Sequence, residues 1–189
     1  GDQIMAICAK VMKRERKLTN NLVVATVMSN LGLTQALKSL GIDLVATKVG
    51  DRYVLEEMRA RGASIGGEES GHLIFLQEHT TGDGILSAIQ LLNAMKEEKQ
   101  PLSELAKVMK VFPQKLINID VQSKPDIETV PEIVAAIRAA EQALGDKGRV
   151  LVRYSGTQNM CRVMVEGPTD EETERHCRQI AEAVKKAIG

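Results

Sequence analysis

Leu22-Val23-Val24-Ala25-Thr26-Val27-Met28 is an apolar run of strand length, and Ser29-Asn30 follows it at once. Such a run suits a parallel strand buried on both faces. Asn30 or Gly32 then opens a helix to Leu40, and Gly41 stops it. Upstream, apolar residues recur at helical spacing over residues 4–11. The run Lys13-Arg14-Glu15-Arg16-Lys17 closes that segment as a solvated helix end, where cations complement the dipole. Downstream, residues 42–47 read as a second strand and 52–61 as a helix ended by Gly62. Short strands follow at 64–66 and 72–76. Asp83 can cap a long helix to about Lys99, and residues 101–110 read as one more helix. Strands alternating with helices argue for a three-layer αβα unit with a mixed sheet. Ligands of such sheets gather at the carboxyl ends of the strands.

The pattern changes near Phe112-Pro113. Leu116, Asn118 and Asp120 alternate with Ile117, Ile119 and Val121, as in a half-buried strand. Ser123 to Asp126 is a turn. Thr129 with Glu132 fits a capping box for a helix to Leu144, and residues 145–148 turn again. Strands are expected at 149–154 and 161–166. Thr169 with Glu172 opens the last helix. The order β-α-β-β-α predicts a small α+β unit, two helices on an antiparallel sheet in a TBP-like arrangement. The expected boundary gives units of 1–110 and 111–189.

The 25 Lys plus Arg balance 25 Asp plus Glu, and aromatics make up 2%. This composition offers no broad field for nucleic acid or an anionic membrane, so any anion site must be local. No apolar run approaches the ~20 residues that span a bilayer. The start shows no leader pattern and reads as the middle of a longer protein. Cys8, Cys161 and Cys177 form no metal-ligand pattern, and unpaired thiols suit a cytoplasmic location. No run of alternating aspartates appears, so no Mg²⁺ cage is expected. His176 reads as a solvated residue on a polar helix face.

Two loops carry chemistry. In Gly66-Gly67-Glu68-Glu69-Ser70-Gly71-His72, three glycines allow tight turning and close approach of a ligand. Glu68, Ser70 and His72 supply the acceptors and donors that sugar hydroxyls need. The competing reading is a strand-to-strand turn with solvated polar residues. In Arg153-Tyr154-Ser155-Gly156-Thr157-Gln158-Asn159-Met160-Cys161-Arg162, small hydroxyl residues flank a glycine beside an arginine fork, a pattern that can hold phosphate. The competing reading is a polar hairpin with exposed arginines. Lys48 lies where a strand gives way to a helix. Asp51 as a cap is the structural alternative to a functional role there.

These residues resemble a known family. Gly67 to His72 is similar to the sugar-binding loop of the α-D-phosphohexomutase superfamily. Arg153 to Thr157, followed by Arg162-Val163-Met164-Val165-Glu166, resembles its C-terminal phosphate-binding loop. Segments 28–32, 49–54 and 79–84 resemble the bacterial phosphoglucosamine mutase branch more than the phosphomannomutase branch. Two departures stand out. Thr157-Gln158-Asn159 replaces the usual Thr-Glu-Pro, which loosens the loop, and Glu69 stands where many members of the branch have Gln.

The resemblance covers the third and fourth domains of a four-domain enzyme. It places the phosphoserine and the Mg²⁺ ligands in preceding domains absent from this chain. It implies an intramolecular phosphotransferase. The reaction interconverts glucosamine-6-phosphate and glucosamine-1-phosphate through a 1,6-bisphosphate, for cell-wall precursors. By resemblance, Glu68 and Ser70 bind sugar hydroxyls, and Arg153, Ser155, Gly156 and Thr157 hold the non-reacting phosphate. Lys48 and His72, with Arg52 beside them, lie near the reacting end as acid/base or charge-stabilising groups. The alternatives are a phosphomannomutase or phosphoglucomutase piece, or a stand-alone phosphosugar-binding module. Implied partners are the phosphosugar and the missing domains, without nucleic acid or membrane. The resemblance also admits a homodimer of the full-length enzyme.

Overall fold

In the computed structural model, which describes residues 1–189, strand β1 (Leu22–Thr26) is buried at every position. It pairs in parallel with β2 (Asp43–Thr47) along its whole length and with β3 (Ile65–Gly67) through Val23 and Val24. Strand β4 (Leu73–Phe75) runs antiparallel to β3, giving the order β2-β1-β3-β4.

The period of two divides the side chains between two layers. Val23, Ala25, Ile65, Leu73 and Phe75 pack against helices α1 (Asp2–Arg14) and α2 (Leu31–Ser39), through Met5, Ala9, Leu33 and Leu37. Leu22, Val24 and Ile74 pack on the other side against Val54 and Met58 of α3 (Asp51–Arg61). Each such buried aliphatic side chain is worth about 1.5–3 kcal/mol. Helix α4 (Gly84–Glu98) lies on α1, with Ala94 against Ile7 and Val11. The three layers and the mixed sheet are those expected.

Local signals set the helix ends. Asn30 accepts from the Gly32 N–H at 3.0 Å and caps α2. Asp83 accepts from Ile85 and Leu86 and caps α4. Gly62, at φ 68°, closes α3 in the left-handed conformation. The basic end of α1 is exposed, and Lys13 Nζ donates to the Leu40 and Gly41 carbonyls, both at 2.7 Å, at the end of α2.

Two expectations fail here. Residues 101–110 are not one helix: α5 (Leu102–Leu105) gives way to a 3₁₀ turn at Ala106–Val108 and an extended Met109. Met109 joins the core in that conformation, and the following Lys110 carbonyl lies so close to Gly32 that a Cβ there would sit 2.0 Å away. The Thr129/Glu132 capping box does not form either. Helix α6 (Pro131–Leu144) starts after Val130 without a side-chain cap. Thr129 instead donates to the Asp126 carbonyl within a 3₁₀ turn capped by Asp126. Pro131 at the first helical position has no N–H to satisfy, which relaxes the need for a cap.

The chain divides into Gly1–Val111 and Phe112–Gly189. In the second unit, β5 (Gln114–Asp120), β6 (Arg149–Tyr154) and β7 (Met160–Glu166) form an antiparallel sheet in the order β5-β7-β6. Helix α6 and helix α7 (Asp170–Ile188) pack with it through Ile133, Ile180, Val184, Ile119, Val163 and Val165. Thr169 caps α7 through the Glu172 N–H. His176 is not solvated: it is 7% exposed, on a buried stripe with Thr173, Cys177 and Ile180. The helical period outweighs residue polarity there. No helix is long and apolar enough to cross a membrane.

Asp2, at the start of α1, is 5% exposed. Its Oδ2 accepts the Asn30 N–H at 2.6 Å. Burial pushes its carboxyl above the ordinary value of 3.8, against the pull of that hydrogen bond. A raised carboxyl pKa means the folded state holds its proton more tightly, so ionising Asp2 costs stability as pH climbs past 3.8. Asp2→Asn keeps an oxygen acceptor and removes the charge. The melting-temperature difference, variant minus parent, should therefore be more positive at pH 7 than at pH 4; thermal melts at both values test this, and an unchanged difference would contradict it.

Candidate functional site

The parallel pairing of β1 with both neighbours brings three loops to one sheet edge. After β2 come Lys48 and Gly50; after β1 comes Asn30; after β3 comes the hairpin loop 68–72. The hairpin is closed by the Glu68 N–H to the His72 carbonyl and the Gly71 N–H to the Glu68 carbonyl, both 3.0 Å. Gly71 sits at φ 98°, which a side chain would strain.

Glu68 Oε1 accepts the Gly50 N–H at 2.9 Å. Its carboxylate thus lies at the start of α3, where the helix dipole favours a negative charge, and its second oxygen remains for a ligand. Asp51 is the first residue of α3 and not its cap. Its Oδ1 accepts from the Arg52 N–H at 2.8 Å and its Oδ2 faces His72 Nε2 at 3.4 Å. The His72 ring also lies against Gly82, where a Cβ would come within 2.3 Å of it. His72 Nε2 is buried there without a hydrogen-bond partner. Ser70 and Lys48 are exposed at the rim. Arg52 lies along α3, paired with Glu56 at 2.8 Å.

In the second unit, the β6–β7 hairpin carries the other loop. Ser155 is 4% exposed; its N–H donates to the Met160 carbonyl, and its Oγ accepts the Gln158 N–H at 3.3 Å. The Asn159 carbonyl accepts from Val121 at 3.0 Å. These bonds tie the loop where the family's proline is missing. A Cβ on Gly156 would meet nothing within 4 Å, so open space lies over that backbone.

Arg153 and Arg162 face each other across β6 and β7. Burial, then the field of Arg162, lowers the proton affinity of Arg153. Arg162 Nε is buried without a hydrogen-bond partner. Facing like charges destabilise a sheet, and an anion between them would remove that cost. Lys124 donates to the Ser155 carbonyl at 3.0 Å, adding a third cation behind the loop. Tyr154 Oη donates to the Pro125 carbonyl at 2.8 Å. A cleft of ≈ 910 Å³ opens here, bordered by Lys124, Arg138, Arg153 and Tyr154.

Sequence reasoning placed Arg162 in a matching segment without giving it a role. It also missed Lys124, Gly82 and the facing of Asp51 on His72. Strand pairing could have exposed Arg162, since both strands and the loop length between them were readable. The other three depend on loop conformations that carry no periodic signal. Burial pushes the thiol of Cys161, beside the second loop, above its ordinary value, and pushes Cys8 up to about 12 and Cys177 up to about 11.

Residues 1–112 match the model described as phosphoglucomutase/phosphomannomutase, alpha/beta/alpha domain III, and residues 116–183 match the C-terminal domain of the same family. The chain belongs to the phosphoglucomutase/phosphomannomutase family. Among this family's curated members, the phosphoglucosamine mutase of Syntrophus aciditrophicus is 68% identical over 189 residues, which is all of this chain and 42% of that protein. The phosphoglucosamine mutase of Syntrophobacter fumaroxidans is 67% identical over the same span, again 42% of its length. The chain therefore spans well under half of these relatives. Among solved structures of the fold, Aspergillus fumigatus N-acetylphosphoglucosamine mutase matches with TM-score 0.81 at 20% identity, covering 99% of this chain and 43% of that one. The same enzyme in complex with GlcNAc-6P and magnesium matches at TM-score 0.79 and 20% identity, covering 99% and 44%. A variant of it holds glucose 1,6-bisphosphate.

Two glycines of this family member respond differently to a single added methyl group. Gly82→Ala should push the His72 ring from its seat, read as a shift of the ring resonances with circular dichroism unchanged; unmoved resonances would show that the seat does not hold the ring. Gly156→Ala should leave the melting temperature within about 2 °C, as for a surface change of under about 0.5 kcal/mol. It should still weaken inorganic phosphate binding several-fold in an NMR titration. Unchanged phosphate affinity would show that the anion does not approach this backbone.

Proposed function

We propose that this chain is the sugar- and phosphate-holding part of a phosphoglucosamine mutase. Such an enzyme interconverts glucosamine-6-phosphate and glucosamine-1-phosphate through a 1,6-bisphosphate. The observation that carries this reading is the 68% identity over the whole chain to a phosphoglucosamine mutase. A phosphoserine loop and an Mg²⁺ loop would come from domains outside this chain. No group of three or more His, Cys, Asp or Glu side chains converges here to hold a metal. A magnesium ion would therefore take its protein ligands elsewhere, and the work of this chain is binding and orientation.

Each loop has one part in that work. The Glu68 carboxylate, pinned by Gly50, accepts hydroxyl donors of the sugar through its second oxygen, and Ser70 adds a hydroxyl that donates or accepts. Arg153 supplies a donor fork to the phosphate that is not reacting. Ser155, already accepting from Gln158, donates its hydroxyl proton, and the Gly156 and Thr157 amides add backbone donors. Arg162 and Lys124 deepen the positive field at the same loop. Lys48 stabilises charge near the reacting end, and His72 serves there as an acid/base group, its ring seated against Gly82 with Asp51 nearby. The handles at Glu68, Ser70 and residues 153–157 must grip the bisphosphate in two orientations, so they contact hydroxyls and phosphate and not the bond that breaks.

A few charge-assisted bonds, each about 1.5–3 kcal/mol, must offset the cost of association. The chain alone should therefore hold glucosamine-6-phosphate with millimolar affinity, about 4 kcal/mol. Backbone amide shifts at Glu68, Ser70 and residues 153–157 on titration, lost in Arg153→Ala, are the expected result. Absence of shifts at tens of millimolar would exclude a preformed site. The chain alone should also be inactive with glucosamine-6-phosphate, a bisphosphate primer and Mg²⁺, and turn over only when joined to the missing domains. Turnover by the pure chain would refute the division of labour.

A further inference from the structure

Helix α4 turns one side to α1 and leaves the other bare. Ala94 meets Ile7 and Val11, with Leu91 and Met95 at the margin of that cluster. On the opposite side Ile85, Ile89 and Leu92 are 77%, 57% and 62% exposed. Their spacing of four and three residues puts them in one stripe, with the exposed Ala88 between them. The stripe ends at the exposed charges Lys96, Glu97 and Lys99. Single exposed aliphatics are ordinary, but a row of three large ones on a rigid helix, bordered by charge, marks a contact surface.

The placement of α4 selects the occupant. Lys10 and Arg14, late in α1, both pair with Glu98 at the end of α4. With Ala94, four residues earlier, against Ile7 and Val11, the two helices run side by side in the same direction. Gly1 and Ile85 therefore lie toward the same end of the pair. Gly1 is pressed against the sugar loop: a Cβ on it would sit 2.1 Å from the Glu68 carbonyl. The matched region is 42% of a relative's length, and the matched models are the third and the C-terminal domains of the family. In these relatives, earlier domains join ahead of the residue that aligns with Gly1.

We infer that the Ile85–Ile89–Leu92 face of α4 seats the preceding domain of the same polypeptide, a reading that needs the family membership but not the phosphosugar. A domain tethered at Gly1 is within reach of the first turns of α4. It would cover the apolar stripe and bear on Gly1, and through Gly1 on the loop that carries Glu68. The seat therefore ties the stance of the preceding domain to the sugar loop.

The test is thiol labelling at Ile89→Cys, in the 189-residue chain and in the full polypeptide with its preceding domains. The native thiols Cys8, Cys161 and Cys177 are 3%, 0% and 0% exposed and contribute little background. A maleimide pulse is followed by mass spectrometry of the peptide that carries residue 89. The thiol should label freely in the short chain and at least about tenfold more slowly in the full polypeptide, where reaction waits on opening of the seat. Equal rates would overturn the inference. Protection in the short chain that grows with concentration would assign the face to a second copy. Protection there at every concentration would assign it to the chain's own C-terminal unit, and either result overturns the inference. Ile85→Cys repeats the measurement one turn earlier, in case Ile89→Cys fails to fold.

Discussion

A strand buried along both faces and both edges leaves no backbone group to water, and each unmade bond would cost about 1–3 kcal/mol. Strand β1 is in that position. Both of its neighbours are parallel to it, so the carboxyl ends of β2, β1 and β3 share one edge. The loops with Lys48, Asn30 and Glu68 follow from that pairing before any side chain is considered. The bond from the Gly50 N–H to Glu68 then fastens two of these loops together. Asp2 does the same for the third, by holding the Asn30 N–H from α1.

The second unit solves a different problem. The chain carries no net charge, so any attraction for an anion has to be made locally. Arg153 and Arg162 oppose each other in register, and Lys124 reaches the same loop through the Ser155 carbonyl. Three cations near one short loop would weaken a sheet that had no anion to hold. The hydrophobic cluster beneath, built on Val163, Val165, Ile180 and Val184, supplies the stability that lets the strands tolerate this.

Much of this was legible in the sequence, for reasons that can be named. Apolar runs and Gly stops located β1, α2, α3 and α4, because burial and left-handed helix ends leave marks at fixed spacing. Asp83 and Thr169 read as caps and are caps. The failures fall where tertiary contacts outweigh local preference. Met109 leaves the helical path to reach the core. Thr129 gives way to Asp126 and Pro131. His176 is buried by the period of α7 despite its polarity. Residue types marked both loops as candidates. What holds them was hidden, because the Gly82 seat of His72 and the Lys124 bond exist only once separate turns meet.

The glycines of the two loops differ in what they answer to. Gly66 and Gly67 face protein atoms at 2.6 to 2.7 Å from any added Cβ, whereas Gly156 faces nothing. In evolutionary terms the first two are guarded by the fold, whereas the third would be guarded, on the proposed function, only by a visitor. In a descendant of this chain that had lost its substrate, position 156 would be free to drift, while Gly66 and Gly67 would persist for the sheet alone. A glycine kept at 156 among divergent copies would be a record of continued use.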